Sequence, residues 1–96
     1  MLTLTPEAAR AVFDVVVAQE PAAGAGLRIS PGPRSAFEET WDYLVVKEPQ
    51  DGDLVVADGL ARVFVSPEAA ARLEDAVLDA HVDEDTGEVR FVVSRR

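Results

Sequence analysis

The sequence predicts one mainly β domain with two helices, an α+β arrangement of mostly antiparallel strands. Three observations carry this reading. Two segments share one helix-start pattern, Thr5-Pro6-Glu7-Ala8-Ala9 and Ser66-Pro67-Glu68-Ala69-Ala70. Around them lie short runs of valine, leucine and aromatic residues, punctuated by glycine, proline and aspartate. Strand and helix signals do not alternate regularly, which disfavours a parallel doubly wound sheet.

Thr5 can cap the free amides of the first helix, Pro6 suits its first position, and Glu7 sits at the positive end. Val12, Phe13, Val16 and Val17 then recur at helical spacing. Pro21 and the glycines at 24 and 26 end that helix. Leu27 to Ser30 reads as a short strand. Pro31-Gly32-Pro33-Arg34-Ser35 reads as loop, because two prolines and a glycine do not serve a central strand. Trp41 to Val46 returns as strand, with Trp41, Tyr43 and Val45 on one face and Asp42, Leu44 and Val46 on the other. Pro49-Gln50-Asp51-Gly52 turns, Asp53 to Ala57 is a strand, and Asp58-Gly59 is a two-residue hairpin signal. Ala61 to Val65 follows. Ser66 caps the second helix, whose apolar face is Ala69, Ala70, Leu73 and Val77. Leu78 to Val82 and Val89 to Ser94 form a closing hairpin about the turn Asp85-Thr86-Gly87-Glu88.

The 96 residues are 48% apolar, enough for one domain with its own core. They carry 18 acidic and nine basic residues, a formal charge of −9. The basic residues are scattered, and only Arg95 and Arg96 are adjacent. A nucleic-acid or anionic-membrane role needs a basic stripe, so neither is expected. Acidity favours solubility and suits a basic protein partner. No apolar run is longer than Val15 to Ala18, far short of the about 20 residues of a membrane span. The start of the chain lacks the pattern of a secretory signal, so the expected location is the cytoplasm. There is no cysteine, hence no thiolate chemistry and no disulfide.

The order and local sequence of these pieces resemble the HesB-like domain family, the A-type iron–sulfur carriers of IscA/SufA type. The resemblance rests on Leu4-Thr5-Pro6-Glu7-Ala8-Ala9, Gly26-Leu27-Arg28-Ile29, Trp41 to Pro49, Asp53-Leu54-Val55-Val56, Ala61 to Ser66, Leu73 and Leu78-Asp79. It spans nearly the whole chain and implies a HesB-like flattened antiparallel β-barrel or sandwich. The family's cluster ligands are three cysteines, one in the loop after the second strand and a Cys-x-Cys pair near the C-terminus. Here the first falls near Ala36, beside Ser35, and Glu38-Glu39 replaces the family's Gly-Met segment. The final stretch Phe91 to Arg96 has no counterpart of the pair. The resemblance therefore implies a cysteine-free divergent member to which no cluster ligand carries over, and no cofactor is expected.

The loop from Pro31 to Thr40 occupies the family's functional position. Arg34, Ser35, Phe37, Glu38 and Glu39 are candidate contacts for a protein partner, while Trp41 belongs to the core by its strand face. Asp79, His81 and Asp83 alternate, so a strand would set them on one face with Leu78, Ala80 and Val82 buried behind. They are weak candidates for a divalent metal, and the ordinary explanation is a solvent-facing strand. Glu38-Glu39 gives no sign of the unequal environments a catalytic acid–base pair needs. Ser66 is better explained as a cap, and neither a nucleophile elbow nor a phosphate loop occurs. The expected function is a non-catalytic HesB-like protein acting through protein contacts or self-association, with a link to iron–sulfur cluster assembly. The alternative is a divalent-metal-binding or enzymatic protein using Asp, His and Glu ligands.

Overall fold

The structure, a computed structural model, describes residues 2–20, 23–33 and 40–95. These form β1 (Thr3–Leu4), α1 (Pro6–Gln19), β2 (Gly26–Pro31), β3 (Trp41–Val46), β4 (Leu54–Asp58), β5 (Ala61–Val65), α2 (Pro67–Arg72), β6 (Ala76–Val82) and β7 (Val89–Arg95). The strands make two sheets, one in the order β1-β6-β7 and one in the order β3-β2-β5-β4.

The expected mainly β architecture with two helices is present, as two sheets that do not close into a barrel. Each sheet is mixed. β2 runs parallel to β5 and β1 runs parallel to β6, while the remaining pairings are antiparallel. Hairpin signals report only sequence neighbours, so the two parallel pairings across distant segments had no local mark.

α1 touches strands of both sheets. Ala8, Ala11, Val12 and Val16 are its buried residues, and they join one apolar core with Leu27, Ile29, Val63, Val65, Leu73 and Leu78. Trp41, Tyr43 and Val45 pack against this core from β3, on the face that alternation assigns them. Phe64 is also buried, but it points to the opposite face from Val63 and Val65. Its ring lies over Gly26, where a Cβ would come within 2.7 Å of the ring and 2.8 Å of the Arg62 carbonyl oxygen. Only glycine fits there.

Several boundaries differ from the sequence reading. β1 is too short to leave a periodic signal. Pro31 is the last residue of β2, opposite Trp41. It is tolerated because the pairing with β5 stops at Ile29, leaving Pro31 a single neighbour strand. The β4–β5 hairpin turns at Gly59-Leu60, one residue later than expected, with Asp58 opposite Ala61. Gly59 has φ +60 and no other residue type described has a positive φ, the II′ pattern with glycine first. α2 ends at Arg72, because Leu73 leaves helical geometry at φ −103 and ψ 16. Glu74 and Asp75 are unfavourable at that negative end. Val77, read as helical, therefore belongs to β6.

Candidate functional site

Two short hydrogen bonds close the base of the β2–β3 loop. The Gly32 amide donates to the Thr40 carbonyl at 2.9 Å, and the Thr40 hydroxyl donates to the Pro33 carbonyl at 2.6 Å. A Cβ on Gly32 would sit 2.6 Å from that hydroxyl oxygen, so glycine lets the two arms approach. The candidate contacts Arg34, Ser35, Phe37, Glu38 and Glu39, with Ala36, lie outside the described residues. Trp41, at the foot of the loop, is half-buried against the core.

The foot of this loop is tied to α2. The Ser66 amide donates to the Ile29 carbonyl at 3.0 Å, and the buried Ser66 hydroxyl accepts from the Ala69 amide at 3.2 Å, capping the helix. At the other end of α2, Arg95 Nη1 donates to the Arg72 carbonyl at 2.7 Å. A six-residue helix thus links the exit of β2 to the end of β7. These are the two regions in which the family resemblance puts its cluster ligands.

Asp79, His81 and Asp83 are not brought together as a ligand set. Asp79 accepts from the Thr5 hydroxyl at 2.7 Å and from the Ala80 amide at 2.8 Å. The Thr5 hydroxyl, and next the Ala80 amide, hold the Asp79 carboxyl below the usual carboxylate range. Thr5 also accepts from the Ala8 amide, so Asp79 anchors the cap of α1 to β6. The His81 side chain is 67% exposed, with Nε2 3.7 Å from Asp79. Asp83 lies beyond β6, where its carboxylate accepts from the Asp85 amide at 2.8 Å and shapes the turn. Val82, expected to be buried behind them, is 60% exposed at the strand's open end. Among the described residues, no three histidine or carboxylate side chains are grouped to hold a metal ion.

An ion pair absent from the sequence reading sits on the Phe64 face of the four-stranded sheet. Arg28 Nε and Nη2 donate to Asp53 at 2.9 and 3.1 Å. The Gln50 amide donates to the same carboxylate at 3.0 Å. The Asp53 side chain has no exposed surface and that of Arg28 is 17% exposed. The Arg28 guanidinium holds Asp53 well below the usual range, outweighing the opposing effect of desolvation. Arg28 and Asp53 are 25 residues apart, and no local pattern in the sequence joins them.

No family model matches the chain, and no curated protein matches it by sequence. Solved structures are similar. Escherichia coli SufA, described as involved in the biosynthesis of iron–sulfur clusters, aligns with 98% of this chain and 84% of its own, at 23% identity and a TM-score of 0.79. IscA, solved with a 2Fe–2S cluster, aligns with 96% of this chain and 81% of its own, at 26% identity and a TM-score of 0.67. The chain has the HesB-like fold. A third HesB-like structure, an Aquifex aeolicus protein solved by NMR, aligns with 99% of this chain and 91% of its own, at 20% identity and a TM-score of 0.73.

The residues on this HesB-like scaffold do not fit an iron–sulfur cluster. Clusters are held mainly by thiolates, and the 96 residues include no cysteine. The single histidine lies out on β6, and its two carboxylate neighbours are committed to the α1 cap and to a turn. No helix among the described residues is long and apolar enough to cross a membrane.

Proposed function

We propose that this HesB-like chain is a non-catalytic protein-contact module linked to iron–sulfur cluster assembly, and that it holds no cluster through ligands of its own. The observation that carries this reading is the fold of SufA and IscA built from a sequence without cysteine. The proposed contact surface is the β2–β3 loop, with Arg34, Ser35, Phe37, Glu38 and Glu39 meeting a protein partner or a second copy. The clamp at Gly32 and Thr40 supports it, because a contact loop needs a fixed base. The −9 charge without a basic stripe supports a protein partner over nucleic acid. A cytoplasmic location goes with this reading.

Anaerobic reconstitution with ferrous iron and sulfide tests the first half. The expected result is an absorption spectrum without a stoichiometric cluster chromophore, and a bound cluster would overturn the claim. Affinity capture with cross-linking tests the second half. Recovery of a cluster-assembly protein, reduced by Phe37→Ala, is expected. A strictly monomeric species with no specific partner would sink it.

A further inference from the structure

We propose that Asp51 is a site of spontaneous covalent modification whose product loosens the Arg28–Asp53 ion pair. In the folded chain the Asp51 side chain closes on the Gly52 amide and reopens as an isoaspartyl link. The identical dipeptide Asp58-Gly59 is protected. The proposal needs neither a partner nor any tie to iron–sulfur assembly.

The first observation is the chemistry of the sequence. An aspartate followed by glycine closes with least hindrance, because glycine has no Cβ beside the attacking nitrogen. The chain holds two such dipeptides, Asp51-Gly52 and Asp58-Gly59, and no asparagine to form the same ring. All four residues are exposed. In the reaction the Gly52 nitrogen attacks the Asp51 Cγ and forms a C–N bond. The amide proton and the carboxyl hydroxyl leave as water, giving a cyclic succinimide. Water then adds to either ring carbonyl. Opening at the former main-chain carbonyl leaves the chain running through the Asp51 Cβ, and opening at Cγ restores aspartate. The water released equals the water consumed, and nothing is oxidised or reduced.

The second observation separates the two dipeptides. Gln50 to Asp53 form a turn closed by the Asp53 amide, which donates to the Gln50 carbonyl at 3.1 Å. Gly52 has φ +86, and no described residue other than glycine has a positive φ, which is the type II pattern. The peptide between Asp51 and Gly52 is the central one of that turn and takes no part in the closing bond. The Gly52 amide donates to none of the described residues. This peptide can therefore rotate toward the ring geometry while the turn stays closed. Asp58 is instead the last residue of β4, opposite Ala61 at the end of the β4–β5 ladder. The peptide that follows it carries the Asp58 carbonyl, so rotation there opens the closing pair of the hairpin.

The third observation is what the turn holds. The Gln50 amide donates to the Asp53 carboxylate at 3.0 Å, and the same carboxylate accepts from Arg28 at 2.9 and 3.1 Å. An isoaspartyl link puts one more atom into the main chain between Gln50 and Asp53. The turn cannot then keep both of its bonds, and Asp53 is drawn away from Arg28.

The test is incubation of the intact protein for weeks in neutral buffer, followed by peptide mapping with electron-transfer fragmentation, which distinguishes isoaspartyl from aspartyl backbone. Methyl transfer from S-adenosylmethionine by an isoaspartyl-specific carboxyl methyltransferase gives a second count. Isoaspartate at position 51 should exceed that at position 58 by about tenfold or more. In urea-unfolded chain the two positions should react at similar rates. Asp51→Glu should abolish the signal and keep the parent's thermal transition. Asp51→Asn, which loses ammonia through the same ring, should give the same product faster. The isoaspartyl form, separated by chromatography, should melt at a lower temperature than the parent. Equal accumulation at the two positions in the folded protein would overturn the proposal, as would none at 51 when the unfolded chain reacts. So would an isoaspartyl form that melts like the parent, since the turn would then tolerate the extra atom.

Discussion

At the scale of single residues, the strongest polar commitment is the bidentate pair between Arg28 and Asp53. The Asp53 side chain has no exposed surface and accepts from three donors, which ties the turn after β3 to the outer face of β2. Removing one member of such a pair leaves the other desolvated and uncompensated, whereas removing both leaves neither charge behind. Asp53→Ala should therefore lower stability by about 3 kcal/mol in urea unfolding. In an Arg28→Met background the same change should cost much less, and a double-mutant cycle measures the difference. Equal costs in the two backgrounds would show that the pair is not coupled. This contact was illegible in the sequence because it joins residues far apart in the chain. The reading that Trp41 packs inward was legible, since Trp41, Tyr43 and Val45 share a strand face and all three meet the core.

At the scale of elements, both helices start as their capping residues indicate. Thr5 and Ser66 each accept a hydrogen bond from the amide three residues on, and each is followed by proline and glutamate. The two caps differ in their surroundings. Thr5 is partly exposed and shared with Asp79, while Ser66 is buried at the junction of β5, α2 and β2. Loss of the Ser66 hydroxyl leaves the Ala69 amide without an acceptor where water has little access. Ser66→Ala should cost about 1–2 kcal/mol, or roughly 4–8 °C of melting temperature per kcal/mol in a domain of this size. Ser66→Thr should recover most of it in a thermal melt, and an unchanged melt for Ser66→Ala would show that the cap is dispensable. Element positions followed from such local chemistry, and β3 and β5 fall on the expected residues. The misplacements came where local chemistry was silent. The two residues of β1 are too few to show a period, and Val77 fitted the α2 stripe by spacing although the chain had already left the helix at Leu73.

At the scale of the whole molecule, stability reflects a balance between dispersed negative charge and a few fixed carboxylates. The −9 charge opposes compaction at neutral pH, and that opposition fades as the pH falls toward the isoelectric point near 4.4. Asp53 and Asp79 act in the other direction. Their folded-state pKa values are held below 3.8, first by the Arg28 guanidinium for Asp53 and by the Thr5 hydroxyl for Asp79. A carboxylate whose pKa is lower in the folded than in the unfolded chain stabilises the fold fully above its unfolded value. That contribution drains away as the pH falls through the folded value. Stability should therefore hold or rise from pH 7 to about pH 5, then drop steeply below about pH 4. Circular-dichroism melts across this range measure both limbs. Asp53→Ala should flatten the acid limb while leaving the shallow limb above about pH 5 in place, because that limb belongs to the charge of the whole chain. A melting temperature that fell steadily from pH 7 to about pH 5 would show that general repulsion is not what opposes folding. The long-range partners behind this profile, Arg28 with Asp53 and Thr5 with Asp79, are brought together only by the folded sheets.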